Sequence, residues 1–174
     1  MAYEFKTFID LKRFMRVIDA SSIVYGWDNY PIGQFPPLWA WIEIEIENGD
    51  LVIPSLALDE VLATAPDCGN WLKAAGIKKL PVTNEILILA KNAKSIIGVF
   101  GDNYHPKGVG ENDLIIISTA KSEGVELISD EGRQKAVPKD SRKMKIPAVC
   151  DLPAVSVSCI NFIEYIKQSN RVFG

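Results

Sequence analysis

The sequence holds one histidine and three cysteines in 174 residues, with no long uncharged apolar run, no glycine-rich phosphate loop and no excess of positive charge. His105 lies in the Gly- and Asn-rich stretch "GDNYHPKGVG" without ligand spacing to anything, so histidine chemistry has no footing. Cys68, Cys150 and Cys159 show no paired ligand spacing and leave one thiol over in any disulfide scheme, which predicts reduced, largely buried cysteines. No stretch reaches the roughly 18 uncharged apolar residues of a membrane span. The opening "MAYEFKTFIDLKRFMRV" mixes acids and bases through its apolar residues, unlike the basic-then-apolar order of a signal peptide. A soluble, cytoplasmic protein without membrane attachment is therefore expected. Neither a Walker loop nor a GxGxxG is present, which removes the case for nucleoside triphosphate or dinucleotide binding. Lys and Arg number 19 against 22 Asp and Glu, a net charge of −3. That excludes a uniformly basic nucleic-acid binder and leaves room for a local basic patch.

What is present suits one α/β domain spanning residues 1–174, a length ample for a full core and short for two. Met15 to Ile18 reads as a short covered strand, and Asp19 stands at its carboxyl end. "FPPLWAWIEIEIENGDLVIP" opens with two prolines suited to a first helical turn and reaches an Asn48-Gly49 stop before a second strand, "LVIP". "SLALDEVLA" is predicted as a helix capped by Ser55. "PDCGNWLKAAG" follows as a short helix and "IKKLPV" as an extended connector. Thr83 is expected to cap a helix over "NEILILAKNAKSIIGVF", whose apolar residues recur at three and four positions. "ENDLIIISTAKSEG" is a helix closed by Gly124, and "VELISD" is a strand that again ends in an aspartate. A basic loop, "EGRQKAVPKDSRKMKIP", leads to a final strand in "AVSVSCI" and a helix, "NFIEYIKQ", capped by Asn161. Alternating strands and helices argue for a central parallel sheet covered on both faces.

In such a sheet all strands end on one edge, so Asp19 and Asp130 face one crevice. Glu60, two turns into the helix after the second strand, has the reach to return to that edge. Asp113 opens the helix before the third acid-bearing strand. Grouped carboxylates either take up protons or hold a cation. Oxygen ligands without His or Cys suit Mg2+ or Mn2+, and such an ion can activate water against a phosphodiester. Each acid also has an ordinary role: Asp19, Ser21 or Ser22 could cap the first helix, Asp113 could face a helix dipole, and Glu60 and Asp130 could be solvated charges.

"VIDASSIVYG", "VIPSLALDEVLA", "NDLIIISTAKSEGVELISDE" and "CINFIEYI" stand in the order and approximate spacing of the PIN domain, a fold of metal-dependent ribonucleases, and the chain resembles that family over most of its length. It is most similar to a DUF4411-like branch of prokaryotic toxin-type ribonucleases, whose members share stretches like "YPIGQFPPLWAWI" and "RKMKIPAVCDL". The resemblance implies a PIN-like three-layer α/β/α sandwich and a Mg2+- or Mn2+-dependent endoribonuclease with Asp19, Glu60, Asp113 and Asp130 as the catalytic, metal-holding acids. Asp59 sits beside Glu60, and helical phase does not choose between them. Ser21 matches a supporting hydroxyl, while Glu111 and Glu131, flanking the third and fourth acids, are candidates for a supporting role. An RNA substrate, a small antitoxin protein and a homodimer are implied as partners.

Arg133, Lys135, Lys139, Arg142, Lys143 and Lys145 place six cations in thirteen positions after the last acid. They form either a solvated loop or a grip on the phosphates flanking a scissile bond, with Arg133, Lys135, Arg142, Lys143 and Lys145 as the RNA-binding candidates. Trp27, Tyr30, Phe35, Trp39 and Trp41 suit core packing, with base stacking by Trp27 or Tyr30 as the functional alternative. Two other function classes fit an acidic edge: a receiver-like signalling module that binds Mg2+, and a PIN-fold binding module without catalysis. Receivers pair adjacent acids after their first strand, where "VIDASS" offers one.

Overall fold

The computed structural model describes residues 15–174. The first fourteen residues of the opening stretch lie outside them. Five strands, β1 (Arg16–Ile18), β2 (Leu51–Pro54), β3 (Lys78–Leu80), β4 (Glu126–Ile128) and β5 (Cys159–Ile160), form one sheet in the order β3-β2-β1-β4-β5. Every pairing is parallel, with Val17 level with Val52 on one side and Leu127 on the other. Among the described residues the helices are α1 (Ala20–Asn29), α2 (Pro36–Glu47), α3 (Ser55–Thr64), α4 (Pro66–Ala74), α5 (Asn84–Ile96), α6 (Glu111–Glu123), α7 (Ile146–Cys150) and α8 (Phe162–Gln168). Together they complete a three-layer α/β/α sandwich.

The strands are short apolar runs because both faces are covered. Val17, Ile18, Leu51, Val52, Ile53, Leu127 and Ile128 have no exposed surface. Helix α6 is buried from Leu114 to Ala120, which explains an apolar run too broad for a one-sided helix. The chain travels outward from β1 to β3 and then crosses back to β4 on the other side of β1. The order reverses between β1 and β4, and the crevice outside their carboxyl ends is where doubly wound sheets bind ligands.

Four local expectations are corrected. The "IKKLPV" connector contains strand β3, an edge strand with two exposed lysines. The expected strand in "AVSVSCI" shrinks to Cys159 and Ile160, because Ser156 adopts a left-handed φ of 50° within a turn closed by Ser156 N–H donating to the Leu152 carbonyl. Ser55 does not cap α3: Pro54, extended at φ −60° and ψ 142°, holds that place and Ser55 is the first helical residue. Helix α5 stops at Ile96 rather than Phe100, where Gly98 turns the chain at φ 77°. The caps expected of Thr83 and Asn161 are made, the latter reciprocally with Glu164. All three cysteines are free and buried.

The aromatics pack on one another. Trp27 meets Trp39 edge-on at 5.2 Å between centroids, Tyr30 lies against Phe35 and Phe162, and the Trp39 indole donates to the Tyr30 carbonyl at 2.6 Å. Trp27 and Tyr30, both half-buried, thus pack against the core as expected of them. Gly26 faces the same cluster: a Cβ there would lie 2.4 Å from the Phe162 ring. Gly26→Ala, favourable by helix propensity, is therefore expected to destabilise the fold by about 1–3 kcal/mol. Urea unfolding checks this.

An acidic site at the switch point

Asp19 ends β1 at the N-cap position of α1 and is only 4 % exposed, yet its side chain caps nothing. Its Oδ2 instead accepts hydrogen bonds from the hydroxyls of Ser21, at 2.6 Å, and Ser129, at 3.0 Å. The Ser21 Oγ in turn accepts the Asp130 amide at 3.1 Å, so two serines knit the ends of β1 and β4 together. Burial raises the Asp19 carboxyl above its usual range, the two hydroxyls oppose that, and the Glu131 charge adds to it.

Three further acids share this field. Asp113, in the first turn of α6, accepts the Gly110 amide at 2.7 Å, and burial together with Glu131, Asp19 and Glu60 pushes its carboxyl up to about 6. Glu60, on α3, is raised by burial and then by Asp19 and Glu131. Asp59 and Glu60 are both exposed at adjacent helical positions, and of the two it is Glu60 that feels the charges of Asp19 and Glu131. Glu131 is the hub: its charge acts on Asp19, Glu60 and Asp113, and its own Oε2 is held at 2.9 Å by the Ile146 amide at the start of α7.

Asp130 stands differently. Its Oδ2 accepts the Ser22 hydroxyl at 2.5 Å and the Phe162 amide at 3.0 Å, fastening the end of β4 to α1 and α8. Its carboxyl is raised mainly by burial, and the acids acting on it are Asp19 and Glu164. Glu111 is exposed and lines a groove with Phe100 and Tyr104.

Among the described residues no Lys or Arg pairs with Asp19, Glu60, Asp113 or Glu131. Nor do any three His, Cys, Asp or Glu side chains converge closely enough to share one ion. The acids feel one another through space without forming a closed cage. By kind they fit a hard divalent cation, since they offer carboxylate oxygens only and carry uncompensated negative charge. A cavity of about 570 Å³ opens at the opposite edge around Arg16, Lys121 and Glu126, away from these acids.

Residues 16–173 match the family described as Domain of unknown function (DUF4411). The chain belongs to that family. Its fold is similar to that of a chain in VapBC2 from Rickettsia felis bound to a DNA fragment from their promoter, at 14 % identity over 84 % of this chain and 98 % of that one, with a TM-score of 0.50. It is also similar to DNA-bound VapBC from Salmonella typhimurium, at 13 % identity over 86 % and 98 % of the two chains, TM-score 0.51. PAE2754 from Pyrobaculum aerophilum matches at 12 % identity over 90 % of each chain, TM-score 0.51. No curated protein matches. The likeness is one of architecture, the PIN-like α/β/α fold.

In this DUF4411 chain the basic segment is less free than its charge count implies. The Arg142 guanidinium donates to both carboxylate oxygens of Asp140, at 3.0 and 2.9 Å, and to Asn103 at 2.7 Å. Those bonds hold the Asp140 carboxyl down to about 2. Arg133 donates to the Cys159 carbonyl and lies 3.9 Å from Glu164. Lys135 and Lys139 are exposed, while Lys143 and Lys145 are half-buried. The short spacing of Asp140 and Arg142 was the available signal that this arginine is tied internally. Ser129 was missed altogether, since only the sheet brings it to Asp19.

Proposed function

We propose that this DUF4411 protein is a metal-dependent endoribonuclease that hydrolyses RNA phosphodiester bonds with Mg2+ or Mn2+, acting as the toxin of a toxin–antitoxin pair. The reading is carried by one observation: Asp19, Glu60, Asp113 and Glu131 couple at the β1/β4 switch point without a neutralising cation side chain among the described residues. Two VapBC complexes among the structural neighbours support the pairing with a small antitoxin. These four acids would hold the ion by drawing closer to one another than they stand in the metal-free arrangement. When bound, it supplies Lewis acidity to water and offsets charge building on the phosphate.

The chain's own groups prepare that site. Ser21 and Ser129 fix the Asp19 carboxylate, the Gly110 amide fixes Asp113 and the Ile146 amide fixes Glu131. Each is held through a single oxygen by these bonds. Asp130 positions the β4 end against α1 and α8 rather than serving as the fourth ligand. Lys135 and Lys139, with Lys143 and Lys145 beside them, bind the phosphates on either side of the cut.

The test is cleavage of a labelled mixed-sequence RNA with Mg2+, with Mn2+ and with chelator, beside an identically prepared Asp113→Asn protein. Cutting that needs the metal and is lost in the variant is expected. Equal cutting by both proteins, or none by a folded, metal-binding wild type on a broad RNA panel, would sink the ribonuclease reading and leave the PIN-fold binding module.

A further inference from the structure

Beside Glu131, at the carboxyl ends of β4 and β5, lies a cavity of about 220 Å³ walled by Gly132, Arg133, Pro147, Cys159 and Asn161. It is below the roughly 300 Å³ at which small-molecule sites usually begin, on the scale of one ring system. Its walls are unlike one another. Arg133, whose guanidinium donates to the Cys159 carbonyl, contributes a planar cationic group to the wall, and Pro147 an apolar one. The Asn161 Oδ1 accepts the Glu164 amide at 2.8 Å, and its Nδ2 has no acceptor among the described residues. Gly132, at the cavity rim, is exposed, and a Cβ there would meet nothing within 4 Å, so a larger side chain is accommodated without a clash.

This lining selects a class of ligand. Asp130 and Glu131 stand in the same wall and repel a phosphate. The charged and amide groups disfavour a purely apolar guest. A neutral, planar heterocycle with hydrogen-bonding edges satisfies every wall: its face stacks on a guanidinium and its edge is read by a carboxylate and an amide, as unpaired bases are. We propose that this cavity seats one nucleobase of the RNA strand, next to the phosphodiester at the acidic site. The proposal rests on the ribonuclease reading for its substrate and on the cavity alone for its chemistry.

Backbone amide shifts of the full-length protein are followed by NMR during titration with the four ribonucleoside 5′-monophosphates, with ribose 5-phosphate as the sugar-phosphate control. At least one nucleotide is expected to move Gly132, Arg133 and Asn161 with a dissociation constant on the order of millimolar, roughly tenfold tighter than the control. Gly132→Leu should remove those shifts without lowering the melting temperature. Asn161→Asp, which keeps the α8 cap and loses the donor, should weaken binding about threefold or more. No shifts with any nucleotide, equal shifts from ribose 5-phosphate, or shifts that survive Gly132→Leu overturn the cavity as a base site. Mapping of RNA ends separates the two readings. Cutting whose base preference is unaltered in Gly132→Leu defeats the base site and leaves the nuclease, whereas nucleotide binding without any cutting defeats the nuclease and leaves the base site.

Discussion

Asp113→Asn is expected to lower metal-dependent RNA cleavage by on the order of a thousandfold, about 4 kcal/mol in the barrier, and yet to raise the melting temperature of the metal-free protein. Both effects have one origin. Burial, with the charges of Glu131, Asp19 and Glu60 acting through space, holds the Asp113 carboxyl at about 6, above the ordinary 3.8. The folded protein therefore keeps a proton that the unfolded chain has already released between those two values. Stability from that proton is fully present below the unfolded value and is lost as pH rises through about 6. Asn keeps an acceptor for the Gly110 amide and removes the charge, so the variant is stabilised at pH 7 by on the order of 2 kcal/mol. Asp19 and Glu60 are raised in the same direction and steepen the dependence. Calorimetric scans of metal-free wild type from pH 7 to pH 5 should show the melting temperature rising as the pH falls, and the rise should flatten in Asp113→Asn. Mg2+ at pH 7 should stabilise the wild type and leave the variant nearly unmoved. A wild type whose stability falls over that pH range, or a variant that Mg2+ stabilises equally, would show that these acids are neither crowded nor the ion's ligands.

The sheet was largely legible because its three central strands are apolar runs that need no partner to be recognised. Its two edges were not. Lys78-Lys79-Leu80 alternates too briefly to declare a strand, and Cys159-Ile160 is two residues held by pairing with Leu127 and Ile128. The acids divide in the same way. Asp19 could be placed at a strand end from local pattern, but whether it capped α1 depended on Ser129, 110 positions away, whose hydroxyl draws the carboxylate off the helix. Helical phase left Asp59 and Glu60 equivalent until α3 was packed against the sheet. The cations were counted correctly, but the pairing of Arg142 with Asp140 was not legible in that count, because charge patterning registers a guanidinium and not the carboxylate it faces. Sequence pattern thus locates a functional edge well and assigns individual side chains on it poorly, since those assignments depend on contacts between segments far apart in the chain.

The adjacent pair Asp130 and Glu131 shows that limit most clearly, and their variants should part company. Leaving the last ladder position of β4, the chain turns one carboxylate toward Ser22 and the Phe162 amide and the next into the field of Asp19, Glu60 and Asp113. Glu131→Gln is expected to reduce cleavage by about a hundredfold or more with little loss of stability, because the amide oxygen can still accept from the Ile146 N–H while the charge at the hub is gone. Asp130→Ala is expected to do the reverse. Removing the acceptor strands the Ser22 hydroxyl and the Phe162 amide, at a cost of about 1–3 kcal/mol in folding free energy, and activity falls through a loosened β4 end. The discriminating measurement pairs urea unfolding with the metal-concentration dependence of cleavage. Glu131→Gln should shift the half-saturating Mg2+ concentration upward, and Asp130→Ala should lower the yield of folded enzyme while leaving that concentration near the wild-type value. If Asp130→Ala moves the metal dependence and Glu131→Gln does not, the fourth ligand is Asp130, and the bonds to Ser22 and Phe162 must yield when the ion binds.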